Sequence, residues 1–326
     1  MNPLMNRTCP VCQTQNFRPL FTHGDRLHGL PGTFTVIACA DCGLISYDPL
    51  LGPEALARYY PPDYYAHQSA DHDAQAGGGL RRLVDDLHLG VRRNPLLAIL
   101  FWPLLWYKET YSYARFLRPL ARGRLLDVGC GDGAFLLKAR RMGFECSGLE
   151  PGGTAARGLA ATGIPVHGCT LEELGPAHGP YDVITLNHVF EHLSDPEGAL
   201  RKLAALLAPA GRLLVRMPDT HFFFFRHWPR HCLHLETPRH VFLYHRDNFT
   251  RLARRCGLEV VAARHEAIPT HLQLSLKGLL FKKLYGEPHW SDSRLISFAL
   301  LPFCAGLRWI GQGDSLALWL RRADRP

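Results

Sequence analysis

From Gly123 onward, short apolar runs alternate with stretches of helical periodicity. Arg124-Leu125-Leu126-Asp127-Val128 reads as a buried parallel strand. Ala134 to Gly143 follows as a helix, and Phe144 to Glu150 as a second strand. Ile164 to Gly168 gives a short third strand, and Tyr181 to Asn187, bounded by Gly179-Pro180, a fourth. Glu197 to Pro209 is a helix with Ser194 or Asp195 as its cap. Gly211 to Pro218 is a fifth strand, and Leu258 to Ala262 and Asp314 to Leu320 complete the set. Strand and helix in alternation predict an α/β fold: a doubly wound, seven-stranded, Rossmann-like sheet.

The first third of the chain has a different rhythm. Thr33 to Cys39 alternates like a strand and runs into the second of two paired-cysteine turns, Cys9-Pro-Val-Cys12 and Cys39-Ala-Asp-Cys42. A tyrosine-rich stretch, Tyr59 to Tyr65, is followed by a polar, glycine-ending segment (67–79) that reads as a loop. Helical patterns then run to about Leu120. The predicted organisation is a ribbon-like module over 1–60, a helical linker or cap over 61–120, and the α/β domain over 121–326. That domain would carry inserts at about 218–248 and 266–312. Pro95 to Tyr107 and Leu295 to Ile310 are apolar runs, too short or too interrupted to span a membrane. A run of 10–14 apolar residues is usually core, so 95–107 is expected to be a buried cap helix, with an interfacial helix as the other option.

Composition narrows the chemistry. With 47% hydrophobic and 20% charged residues the chain is globular, and its net charge of +8 raises the prospect of an anionic partner. No basic, apolar leader opens it, so a reducing cytoplasmic setting is expected. In that setting Cys9, Cys12, Cys39 and Cys42 are better read as ligands of a structural zinc ion than as disulfides. Four protein ligands leave no open position, so this zinc is not expected to be catalytic.

The stretch Asp127-Val128-Gly129-Cys130-Gly131-Asp132-Gly133 carries the functional expectation. Glycines at this strand-to-helix turn let the backbone approach a ligand. The dinucleotide fingerprint places its last glycine one residue later, and a carboxylate two residues before the first glycine suits an ammonium rather than a phosphate. Glu150, ending the second strand 17 residues past Gly133, stands where a ribose-binding carboxylate belongs. Together these features favour S-adenosylmethionine over a nicotinamide dinucleotide.

LLDVGCGDGAFL, GLEP and YDVITLNHVFEHLSDP resemble class I S-adenosylmethionine-dependent methyltransferases, particularly those of quinone biosynthesis. The continuation through MPDTHFFFFRHWPRHCLHLETPRHVFLYH resembles bacterial methyltransferases of surface-polysaccharide gene clusters, many of which bear an N-terminal zinc ribbon. The resemblance covers 9–65 and 121–262. It implies that Gly129, Cys130, Gly131 and Gly133 line the methionine part of the cofactor, with Asp127 near its amino group and Glu150 on the ribose. Asn187 and His188 would border the transfer site. Because a hydroxyl or carbon acceptor needs a base, His240 and then His188 are the expected catalytic histidines. The expected acceptor is a small molecule, a sugar or glycolipid intermediate of surface-polysaccharide synthesis. Runs 95–107, 222–225 and 295–310 extend the expectation to peripheral contact with the inner membrane or a lipid-linked substrate. An RNA methyltransferase holding RNA by its ribbon and basic surface is the alternative, ranked second because no RNA-binding signature or long basic stripe is present.

Overall fold

The computed structural model describes residues 7–60, 79–152, 159, 162–281 and 294–323. Of the expected loop at 67–79, residues 67–78 lie outside the described residues, as does the Tyr64-Tyr65 pair, and Gly79 opens a helix, Gly79–Leu89. The chain divides into two compact units, one of 1–61, 188–201 and 215–326, the other of 62–187 and 202–214.

In the second unit, β4 (Arg124–Val128) pairs in parallel with β5 (Glu145–Leu149) and with β7 (Tyr181–Asn187), and β5 pairs with β6 (Val166–His167). With β8 (Leu207–Pro218), β9 (Leu258–Glu266) and β10 (Ser315–Arg322) the seven-stranded sheet has the order β6-β5-β4-β7-β8-β10-β9. β10 runs antiparallel to β9. The strand order reverses at β4/β7, the position at which open α/β sheets bind ligands. The expected doubly wound fold is therefore present. The third strand is shorter than the sequence suggested and the fifth begins earlier, at Leu207. Helix Pro196–Leu206 starts at Asp195, whose Oδ1 accepts the Gly198 N–H at 3.0 Å and so fills one orphan donor of the first turn.

The run 95–107 corrects the expectation of a buried cap helix. It forms two helices, Pro95–Leu100 and Trp102–Tyr111, broken at Phe101. The break has local causes: Asn94 Oδ1 caps the first helix through the Leu97 N–H, and Pro103 starts the second. Their solvent side is apolar, with Leu96 77% and Ile99 70% exposed.

In the first unit, β1 (Phe17–His23), β2 (Phe34–Cys39) and β3 (Ile45–Asp48) form a three-stranded antiparallel sheet. Val36, Ala38 and Ile45 of this sheet share one apolar core with Phe222, Phe224, Phe225, Leu243 and Leu307. A buried ion pair, Arg239 Nη2 to Asp25 Oδ1 at 2.5 Å, ties the β1–β2 connection to the segment after β8. Phe222, Phe224 and Phe225 are all buried, so 222–225 is no surface patch, contrary to expectation. Four vicinal phenylalanines read as a patch only while their helix, Phe223–His227, is imagined without the β2–β3 sheet to cover it.

Candidate active site

The turn after β4 is built by backbone conformations that only glycine adopts freely. Gly129, Gly131 and Gly133 have φ of 68°, 54° and 79°. Gly131 donates its N–H to Glu150 Oε2 at 3.1 Å, and Gly152 donates to Oε1 at 3.3 Å. The carboxylate at the end of β5 is thereby fixed beside the turn. Cys130 belongs to the turn through its backbone. Its thiol is buried against β5, where a Cβ at Gly148 would lie 2.6 Å from its Sγ, and burial pushes that thiol up. Cys130 therefore lines the turn by its peptide groups, while its side chain is part of the packing.

Asp127 is buried at the next-to-last position of β4. Its Oδ1 accepts from Thr185 Oγ1 at 2.5 Å and from Asn187 Nδ2 at 3.2 Å. Desolvation still dominates, and with help from Glu150 it raises the Asp127 carboxyl to about 7. The Oδ1 of Asn187 is buried and accepts no hydrogen bond among the described residues. A destabilised carboxylate and an orphaned carbonyl oxygen both gain from a ligand that brings positive charge and N–H donors. The residues present therefore fit the amino-acid end of S-adenosylmethionine, with Glu150 presenting acceptors for ribose hydroxyls.

The next residue, His188, is bent into the left-handed region with φ 54°, a conformation that costs a non-glycine residue roughly 1–2 kcal/mol. Within the first unit, its N–H donates to Arg216 O at 2.9 Å and its Nδ1 meets Glu191 Oε1 at 3.2 Å. Burial, then the nearby Arg216 guanidinium, holds His188 well below the usual imidazole range. Glu191 is itself fully buried, and its Oε2 has no hydrogen-bond partner among the described residues.

His188 stacks on His234 (centroids 5.9 Å, planes 7° apart) and meets His271 edge-on at 6.4 Å. His234 Nε2 and His271 Nδ1 both reach Asp314 Oδ2, at 3.1 and 2.5 Å. Arg216 and Glu266 form a buried ion pair, Nε to Oε2 at 2.6 Å. His240 lies beside His192 (4.7 Å between centroids), and its Nδ1 donates to His234 O at 2.7 Å. His192 Nδ1 is met by Tyr60 Oη at 2.9 Å and Arg239 O at 3.0 Å. Burial lowers both His192 and His240 to about 4, so both rings are neutral near pH 7. Sequence reasoning pointed to His188 and His240 here. It missed Thr185, His271 and Asp314, and the run Asn187 to His192 was the one local signal of a polar cluster.

The four N-terminal cysteines converge. Cys9 and Cys42 Sγ lie 3.6 Å apart and Cys12 and Cys39 Sγ 3.4 Å apart, all four atoms within 4.8 Å of one another. Zinc–sulfur bonds of about 2.3 Å in a tetrahedron require Sγ separations near 3.8 Å, so the set fits zinc closely. The residue after each pair, Gln13 and Gly43, turns into the left-handed region (φ 65° and 72°), which closes both knuckles alike.

Strand order, glycine turn and tethered Glu150 match the class I, Rossmann-like methyltransferase fold. A family model described as a methyltransferase domain matches residues 105–263. Its curated relatives include a ubiquinone biosynthesis O-methyltransferase of Rhizobium etli, 35% identical over 104 residues, which are 30% of this chain and 42% of the relative. The enzyme of the same name from a Caulobacter species is 37% identical over 117 residues, 32% of this chain and 46% of the relative. The chain thus spans less than half the length of the curated relatives it matches. Among solved structures, an S-adenosylmethionine-dependent methyltransferase of Thermotoga maritima, titled a possible histamine N-methyltransferase, overlays with a TM-score of 0.46 at 19% identity. The overlay covers 67% of this chain and 89% of that one.

Proposed function

We propose that the chain is an enzyme that transfers a methyl group from S-adenosylmethionine to an oxygen of a small-molecule acceptor. The observation that carries this reading is the Asp127–Asn187–Glu150 arrangement around the glycine turn, a cradle for a cationic, ribose-bearing ligand. The cofactor supplies a methyl group already activated on a sulfonium. The protein's task is then to orient the acceptor in line with that methyl and to take the hydroxyl proton. His188 is the first choice of base. It follows Asn187 directly in the chain, its backbone is held in a strained conformation, and Glu191 accepts its Nδ1–H, which leaves Nε2 as the basic nitrogen. His240 is the second choice, with its Nδ1–H committed to a backbone carbonyl.

Two acceptor classes fit. Resemblance of the segment after β8 to surface-polysaccharide methyltransferases supports a sugar or glycolipid, and the relatives' names support a phenolic quinone precursor. The four N-terminal thiols would hold a structural zinc that fixes the ribbon.

The reading extends to peripheral contact with an anionic membrane, although no helix among the described residues is long and apolar enough to cross one. Helix Arg294–Trp309 supports this contact. It contains no acid, and its solvent face carries Leu295 (84% exposed), Phe298, Phe303 and Trp309 (89% exposed), in a chain of net charge +8. Sedimentation with anionic and with zwitterionic vesicles tests it, and failure to bind either would remove the membrane part alone.

Calorimetry with S-adenosylmethionine and S-adenosylhomocysteine tests the core of the proposal. It is paired with methyl-transfer assays on phenolic, nucleotide-sugar, lipid-linked sugar and RNA acceptors. Cofactor binding with transfer to one small-molecule class is expected. Absence of binding to either cofactor form would overturn the reading, and transfer to RNA alone would replace it.

A further inference from the structure

We propose that His234, His271 and Asp314 form a second metal site, a binding place for one divalent transition-metal ion separate from the four-cysteine cluster. The three residues come from widely separated parts of the first unit: His234 from the segment after β8, His271 from helix Pro269–Phe281, and Asp314 from the residue before β10. One ligand atom from each lies within 4.8 Å of the other two. Bonds of about 2.0–2.1 Å to nitrogen and oxygen need ligand separations near 3.3 Å, so only small side-chain movements close the set around an ion.

Hydrogen bonding alone is a crowded solution for this cluster. Asp314 Oδ2 faces His234 Nε2, His271 Nδ1 and Ser315 Oγ (3.3 Å) together, while Oδ1 accepts the Ile268 N–H at 2.8 Å. An ion among the three relieves the crowding. Each imidazole moves its proton to the other ring nitrogen, stays neutral and donates a lone pair, and no net proton is lost. Asp314 ligates through Oδ2 while Ile268 holds Oδ1, the outer-shell support that ligating carboxylates require. The stacked His188 has its Nδ1 engaged by Glu191 and does not compete through that nitrogen. Asp314 and His234 are buried while the His271 side chain stays 20% exposed, which gives an ion a side of entry. Two imidazoles and one carboxylate select zinc, cobalt, iron or manganese over calcium and magnesium. Three ligands also leave a coordination position open, unlike the cysteine cluster.

The test uses the full chain, stripped with a chelator and reconstituted with cobalt(II), and it reads metal content by mass spectrometry together with the absorption spectrum. Two ions per chain are expected, of which only the cysteine-bound one gives thiolate-to-cobalt charge-transfer bands. Asp314→Asn and His271→Ala should each weaken the second ion by about 10²-fold or more, with those bands unchanged. Thermal melts confirm that each variant is folded. If Asp314→Asn fails to fold, the partly exposed His271→Ala decides. One ion per chain in the unaltered protein would overturn the proposal, as would two ions held with undiminished affinity in a folded variant.

Discussion

The proposed cofactor half and the histidine cluster, each within its own unit, are made by opposite strategies. At the turn after β4, a few adjacent residues shape the backbone, and two carboxylates, Asp127 and Glu150, supply the charge. In the first unit, side chains do nearly all the work, and they come from residues as distant as His188, His234, His271 and Asp314. A backbone-built site tolerates little change in shape but holds few titratable groups. A side-chain-built site keeps buried charges that must be compensated exactly where they stand, so disturbing it should cost stability as well as activity.

The largest expected effect follows from that contrast. Arg216 and Glu266 are a buried ion pair, and removing one partner takes its salt-bridge counter-charge from the other inside the core. Glu266→Gln should destabilise the protein by about 3–5 kcal/mol, read in denaturant melts. A loss below about 1 kcal/mol would mean that the buried charges of this unit are not the liability the contrast requires. Next comes Glu150→Ala, which removes the acceptor tethered by Gly131 and Gly152. Cofactor affinity should fall by about 10²-fold, since hydrogen bonds to charged groups contribute roughly 1.5–3 kcal/mol each, with little change in melting. If affinity held and stability fell, the two halves would not differ in the way described.

The difference in construction also explains what could be read from the sequence. Three glycines at positive φ, an acid before them and an acid after the next strand are local in the chain, so their pattern survives without a structure. The sheet was legible for the same reason, each strand being a short run with its own periodicity. His234, His271 and Asp314 form no pattern, because 18 histidines are spread through the chain and only tertiary packing selects these. The apolar runs misled in both directions. Composition predicts burial for 95–107 and a surface patch for 222–225, yet hydrophobicity alone does not say which neighbour arrives to cover a helix. The β2–β3 sheet covers Phe222, Phe224 and Phe225, whereas Leu96 and Ile99 keep most of their surface exposed.

A third prediction separates the halves by kinetics. His188→Gln should lower turnover by about 10²-fold while leaving cofactor affinity within about twofold, because the base acts on the acceptor and not on the cofactor. The same loss in His240→Gln with none in His188→Gln would move the base to the second choice. A fall in cofactor affinity in His188→Gln would show that the strained backbone after Asn187 serves the cofactor half, and the division would be redrawn one residue later.

The smallest effect is a pH dependence that the two halves give with opposite sign. Asp127 has its folded-state pKa raised to about 7 by burial, so the folded protein without ligand holds a proton there that the unfolded chain has released. That contribution to stability is full below about pH 4 and is lost as pH rises through about 7. His192 and His240, lowered to about 4, act in reverse: their contribution is full above the unfolded imidazole range and is lost as pH falls through about 4. Both windows overlap between pH 4 and 7, so the raw melting curve is a composite. The difference between wild type and Asp127→Asn isolates the carboxyl, and wild type should lose ground to the variant as pH rises across that interval. A cationic ligand favours the carboxylate, so cofactor affinity should climb with pH up to about 7, approaching tenfold per unit at the acid end, and should be flat in Asp127→Asn. Affinity independent of pH in the wild type would detach Asp127 from the ligand's positive charge and leave the glycine turn and Glu150 as the whole of the cofactor half.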